Sequence, residues 1–323
     1  MSSLLDPSIL FFVFGAFAGL VRSNLEIPAP VSRFLSLYLL MALGLKGGFA
    51  LAKSGLTPTV AAGLGAAVLL ALVVPVMGYW LLRRILPALD AVALAATYGS
   101  VSAVTFITAT QHLENAGIAF GGHMSAAMAL MESPAIVLAV VMANVLRRRS
   151  AGPGSPDAPP LSLGKVLHES FTDGAQLLLL GAMVVGLITG EAGKAVMQPF
   201  SVDLFKGMLA FFLLDMGLLA ARNFREVVGK STWVLAYAIC GPLTHATLAL
   251  GLSWALGLPA GDGALLMALA ASASYIAVPA VLRFAIPEAN PSLYFGLSLG
   301  LTFPLNIVLG IPCYAQVAVA CLS

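Results

Sequence analysis

Residues 268–282 read "ALAASASYIAVPAVL", an apolar segment interrupted by Ser272, Ser274 and Pro279. In a continuous α-helix, residues two apart point about 200° away from each other, so a Ser-x-Ser step cannot offer both hydroxyls to one ligand. If the backbone unwinds at the step, hydroxyls and N–H groups converge, and the second serine is a good cap for a new helix. Pro279 lacks an N–H and its ring excludes the carbonyl four residues back, that of Tyr275. The same step stands earlier, in "YGSVSAV" at 98–104, where Ser100 and Ser102 precede Ser272 and Ser274 by one constant offset. Two such steps predict two broken helices, one starting at Ser102 and one at Ser274.

The surroundings are apolar enough for a membrane. Of 323 residues, 60% are hydrophobic and 9% charged, with a mean hydropathy of +0.99; a soluble domain has about 25% charged residues. A net charge of +2 gives no basis for nucleic-acid binding. Apolar runs of about 20 residues mark transmembrane helices. Ten are predicted, near 8–22, 31–52, 57–83, 90–112, 121–146, 173–190, 202–221, 231–257, 262–286 and 292–320. The long polar connection at 147–170 is rich in Pro, Gly and Ser and reads as a linker; its "GKVLHESF" reads as a short solvated connector. The chain thus divides into a first five-helix repeat (1–150), a linker (151–170) and a second five-helix repeat (171–323).

Basic residues orient the spans. Arg22, Arg33, Arg83, Arg84, Arg147, Arg148, Arg149, Lys165, Arg222, Arg225, Lys230 and Arg283 all fall at one set of span ends. The opposite ends hold Lys53, Lys194 and Lys206. The positive-inside rule makes the first set cytoplasmic, which predicts a multi-pass plasma-membrane protein with both termini outside and the linker inside. The first segment lacks a basic n-region and a small-residue cleavage site and reads as a retained span. Ser2 after Met1 excludes N-myristoylation. Cys240, Cys313 and Cys321 have no C-x-x-C spacing and read as small hydrophobes.

Other elements recur between the halves in the same order. "MESPAI" (131–136) matches "LTFPLNI" (301–307), "LGLKGG" (43–48) matches "LDMGLL" (214–219), and Pro75 matches Pro242. Gly15 is set against Gly181 in the first spans, and Gly15-x-x-x-Gly19 reads as helix packing. An odd number of spans per half inverts the second copy, and inverted repeats typify secondary transporters, which bind substrate and ions between discontinuous helices. The predicted fold is therefore an all-α membrane protein of ten helices in two inverted repeats, with helices 4 and 9 broken and crossing.

The half-helix N-termini carry partial positive charge and free N–H donors, which suits a small anion. Glu132-Ser133-Pro134 and Phe303-Pro304 read as further breaks, whose freed carbonyls suit a cation. Lys46, Glu132 and Asp215 lie inside spans, where an ionisable residue costs about 2.5–3.5 kcal/mol on insertion scales. Lys46 reads either as snorkelling or as paired with Asp215, and Asp215 as that pair's anion or a cation ligand. Glu132 reads as a cation-site residue, and Asn306 is its rough counterpart. His245, after Pro242, reads as a hydrogen-bonded core histidine, and His112 and His123 as interfacial.

These residues resemble the sodium-dependent bicarbonate transporter family first recognised in cyanobacteria. The likeness is carried by "GLKGG" (44–48), "YGSVSAVTF" (98–106), "MESPAIVLAVVMANV" (131–145), "LLDMGLLAARN" (213–223), "ASASYIAVPAVLR" (271–283) and "PEANPSLYFGLSLGLTFPLNIVLGIPCY" (287–314). It implies Na⁺/HCO₃⁻ symport, with Na⁺ as the co-transported ion and no cofactor, and elevator or rocking movement of a domain holding spans 4 and 9 against a scaffold is the expected mechanism. It also implies a homotrimer among membrane lipids and a PII-like cytoplasmic regulator responsive to adenine nucleotides. Carried over, bicarbonate is expected at Gly99, Ser100, Ser102, Ala103, Ser272, Ser274 and Tyr275. Na⁺ is expected beside it, among Ser100, Thr105, Glu132, Asp215, Ser274 and Asn306.

Rival readings are a Na⁺-coupled transporter of another small anion and a cation/proton antiporter, which wants adjacent carboxylates that helices 4 and 9 lack at mid-span. A membrane-embedded enzyme finds neither G-x-S-x-G nor H-E-x-x-H. A purely regulatory receptor would leave the paired serine steps without a role.

Overall fold

The computed structural model describes residues 6–55, 57–150, 174–224 and 229–322, and all regular structure in them is helical. The linker at 151–170 lies outside the described residues. The first half holds α1 (Pro7–Leu20), α2 (Ala29–Ser54), α3 (Pro58–Leu82), α4 (Ala88–Gly99), α5 (Ala103–Ala116) and α6 (Met124–Ser150). The second holds α7 (Gly174–Gln198), α8 (Phe205–Phe224), α9 (Thr232–Ala255), α10 (Ala260–Ala271), α11 (Ala277–Ala285) and a long composite α12 (Pro291–Leu322). Among the described residues, seven helical stretches are long and apolar enough to cross a membrane, and Pro7–Leu20 and Ala260–Ala271 are shorter apolar helices.

Helix ends follow local chemistry. Asp6, Thr57 and Asn290 cap α1, α3 and α12 with side-chain oxygens that accept from Ser8, Val60 and Ser292 N–H groups. Each cap is followed by a proline in the first turn, where a missing N–H costs nothing. Gly117 ends α5 in the left-handed conformation, at φ 70°.

Two helix pairs make the closest crossings, α1 with α8 and α2 with α7. Glycine allows both. A Cβ at Gly15 would strike the Leu214 carbonyl and one at Gly217 the Phe12 carbonyl, while Gly48 and Gly186 do the same for the second pair. The packing expected of Gly15 and Gly19 is therefore present. Gly181, its expected counterpart, has no heavy atom within 4 Å of a built Cβ, and the contact belongs to Gly186 one and a half turns on. The remaining helices form a second body: α3 packs on α4 and α6, α9 on α10, and α10 on the end of α12. Each body draws on both halves of the chain.

Two expectations about breaks are corrected. α6 runs through Pro134 without interruption. At Pro304 the chain also stays helical, with wider π-helical turns at Ser298–Thr302 and Asn306–Gly310 that absorb the lost hydrogen bond. Spans 6 and 7 are joined by no extended loop. α7 continues past 190, kinked at Gly190 (φ 55°), and a wide turn at Pro199–Asp203 leads to α8. Cys240, Cys313 and Cys321 are free and exposed on the apolar outside.

Candidate functional site

Both serine steps are breaks, and they meet. α4 stops at Gly99, Ser100 and Ser102 are extended, and Ser102 caps α5 by accepting from Thr105 N at 3.2 Å. In the second half α10 stops at Ala271 and α11 begins at Ala277, so this break is longer. The break is not restarted at Ser274 as expected. Ile276 holds the cap position without a side-chain bond, and Ser274 Oγ reaches forward to accept from Val278 N at 3.3 Å. Pro279 accordingly lies in the first turn of α11, where no helical bond is broken and the Tyr275 carbonyl is already outside the helix.

The two breaks are tied by reciprocal bonds. Ser102 N donates to Ser272 Oγ at 2.9 Å, and Ser274 N donates to the Thr97 carbonyl at 2.8 Å. Ser272 Oγ in turn donates to the Leu269 carbonyl at 2.7 Å. Ser100, Ser102, Ser272, Ser274, Thr105 and Tyr275 are all buried. Gly99 packs against the ring of Pro75, which leaves no room for a side chain. Ala103 is half-buried at the start of α5, where the first N–H groups have no carbonyl within their own helix. The Tyr275 hydroxyl donates to the Met216 sulfur at 3.8 Å.

The expected sodium residues divide. Glu132 touches the first break through its backbone, its carbonyl accepting from Ser100 Oγ at 3.2 Å. Asn306 lies behind the second break. Its Nδ2 donates to the Ala271 carbonyl at 2.8 Å, and its Oδ1 accepts from Tyr314 Oη at 2.9 Å. Asp215, on α8, is buried and accepts a hydrogen bond from the Ser32 hydroxyl at one end of α2.

The pairing of Lys46 with Asp215 does not occur. Ser32 and Lys46 are fourteen residues apart on one helix, about 21 Å at 1.5 Å per residue, so the carboxylate beside Ser32 is out of reach. Lys46 instead binds both carboxylate oxygens of Glu114, at 2.9 and 3.1 Å, and lies 4.4 Å over the Phe205 ring. Nearby, Asn115 donates to Asp6 at 2.7 Å and accepts from Lys206 at 3.2 Å. At this end of the molecule α1, α2 and α8 are thus bonded to the end of α5.

At the opposite end the same two bodies are separated by an open cavity of about 600 Å³. Ser32, Arg33 and Asn223 line one side of it, and Tyr275, Ile276 and Ser292 the other. The cavity therefore reaches from the arginine-bearing end to the second break.

Sequence reasoning missed the Thr97 carbonyl, Tyr314 and the Ser32–Asp215 bond. None carries a local signal, since each partner comes from a distant helix. His245 is buried, as expected of a core histidine. His123 is buried rather than interfacial, 3.6 Å from Asp262, which also accepts from Gly121 N at 2.6 Å.

Two interrupted helices bonded to each other inside an apolar bundle are the kind of arrangement in which discontinuous-helix transporters hold their substrates. The family follows from the whole chain: it belongs to the Na⁺-dependent bicarbonate transporter superfamily, whose family model matches residues 7–319. The protein is accordingly a multi-pass membrane transporter and not an enzyme, with bicarbonate and Na⁺ as the substrates the family implies. A search of curated proteins gives no match.

Proposed function

We propose that the protein takes up bicarbonate in symport with Na⁺ across the bacterial inner membrane, by alternating access. The observation that carries this reading is the pair of reciprocal bonds between the two serine breaks, Ser102 to Ser272 and Ser274 to Thr97. They bring the N-terminal end of α5 and the Ser272–Ile276 stretch to one place, where N–H groups and hydroxyls can hold a small anion. Gly99, Ser100, Ser102, Ala103, Ser272, Ser274 and Tyr275 form the anion site in this reading. Na⁺ lies beside it, near Ser100, Thr105, Ser274 and the Glu132 carbonyl, and lowers the cost of carrying the anion's charge.

The inverted repeat is supported by the swapped crossings, first helix on seventh span and second on sixth. Motion of the α3–α6 and α9–α12 body against α1, α2, α7 and α8 is supported by the polar cluster at one end and the cavity at the other. With the arginine-rich end cytoplasmic, the cavity faces inward and both termini outward. A homotrimer and a PII-like, nucleotide-responsive regulator belong to this reading through the resemblance alone.

Labelled-bicarbonate uptake into proteoliposomes tests the function, with Na⁺ gradients of either sign and CO₂ diffusion controlled. Sodium-driven entry of another anion instead of bicarbonate would keep the site and change the substrate. Sodium flux driven by a proton gradient, with no anion transported, would favour the cation/proton antiporter class.

A further inference from the structure

The two helix ends that frame the serine breaks are treated unequally. The first N–H groups of α5, those of Ala103 and Val104, have no acceptor within the helix, and Ser102 serves only Thr105 N. At the end of α10 the carbonyls are taken up by side chains. Leu269 accepts from Ser272 Oγ at 2.7 Å and Ser272 N at 3.1 Å, and Ala271 accepts from Asn306 Nδ2 at 2.8 Å. A helix C-terminus carries the equivalent of about −0.5 charge on these carbonyls. Ala271 is adjacent to Ser272, which bonds the other break, so an open carbonyl there would repel an anion and attract a cation.

From this asymmetry we infer that Asn306 is a specificity-determining positioning residue that makes the crossing an anion site, rather than a ligand of the sodium ion. Its geometry fits the role. Asn306 is 3% exposed, its amide nitrogen is committed to Ala271, and Tyr314 Oη fixes the amide's orientation by donating to Oδ1 at 2.9 Å. The wide turn at Asn306–Gly310 places this amide across from α10, and Gly310 leaves room for it, since a Cβ there would lie 2.6 Å from Oδ1. The inference rests on the transport reading above and adds a role to it. Asn306 removes negative potential from one side of the site and leaves the positive end of α5 to act on the other.

The test separates the two substrates. Asn306→Ala and Tyr314→Phe are reconstituted beside wild type, and bicarbonate KM and half-saturating Na⁺ are measured per transporter in the bilayer. Asn306→Ala is expected to raise bicarbonate KM about two- to tenfold, the range a helix-terminus charge interaction carries. Half-saturating Na⁺ should stay level or fall. Tyr314→Phe, which keeps the Ala271 bond but frees Oδ1, should shift bicarbonate KM the same way and by less. It also serves if Asn306→Ala fails to insert. The opposite pattern, Na⁺ affinity lost with bicarbonate KM spared, would make Asn306 a sodium ligand and overturn the inference. Unchanged constants in both variants would overturn it too. A wild type without sodium-driven bicarbonate uptake would instead sink the transport reading, and the inference with it.

Discussion

The first serine break and the second have the same spelling but different structures. Between α4 and α5 the chain is extended only from Ser100 to Ser102, and the second serine is a true cap. Between α10 and α11 the gap runs from Ser272 to Ile276, the cap position has no side-chain bond, and Ile276 is exposed. The first break is capped by its own serine and also bonded by Ser272 and the Glu132 carbonyl. The second receives the Asn306 side chain from another helix, and it is the one that borders the cavity. A short, self-capped break suits a fixed binding edge, and a longer one bordering open space suits the edge that ligand must pass.

The largest effect should come from Ser272→Ala. It leaves Ser102 N buried without its acceptor, a loss of about 1–3 kcal/mol. Uptake by the reconstituted variant should be nearly abolished while protein remains in the membrane. Ser274→Ala keeps the backbone bond to Thr97 and loses only the long contact to Val278 N. Its uptake KM should therefore rise less than that of Ser102→Ala, which loses a cap worth about 1 kcal/mol. Equal defects at Ser272 and Ser274 would erase the difference between the breaks.

Gly99→Ala sharpens the comparison from the other side. Its Cβ would meet the Pro75 ring, and overpacking of this kind costs about 1–3 kcal/mol. A thermal melt in detergent should shift downward, and the matching change at Ala271 is already present in the sequence. Glu114→Gln weakens the polar cluster opposite the cavity and should expose single cysteines placed at Gln111 to external thiol reagent. Labelling unchanged from the parent would remove the cluster's role in closure.

The smallest effect is at the arginine-rich end. Glu288 forms a two-pronged pair with Arg147, at 2.7 and 2.9 Å, and the Arg147 hydrogen bond holds its carboxyl below the usual glutamate range. A depressed folded pKa stabilises above the unfolded value and is lost as pH falls through the folded one. The pair is largely exposed, so its contribution is about 0.2–1 kcal/mol. Melting of Glu288→Gln and wild type should differ slightly at pH 7 and converge in acid below pH about 4.

Much of this was legible in the sequence because it is local. Apolar runs give the helices, and a Ser-x-Ser step in such a run gives a break. What failed was pairing and degree. Lys46 and Asp215 lie on adjacent helices, but antiparallel running sets them far apart, which hydropathy does not encode. Pro134 and Pro304 promised breaks, yet α6 runs straight through the first, and wide turns keep the chain helical around the second. Asn306 was visible as a polar residue at depth. Its partner, Ala271, is supplied by tertiary contact alone.

The most direct measurement of the central claim is sodium-driven uptake of labelled bicarbonate by wild type and Ser272→Ala in the same proteoliposome preparation. Sodium-dependent uptake by wild type, lost in the variant at equal protein density, is the expected result. Uptake by the variant at the wild-type KM and rate would mean that the crossed serine breaks are not where bicarbonate binds.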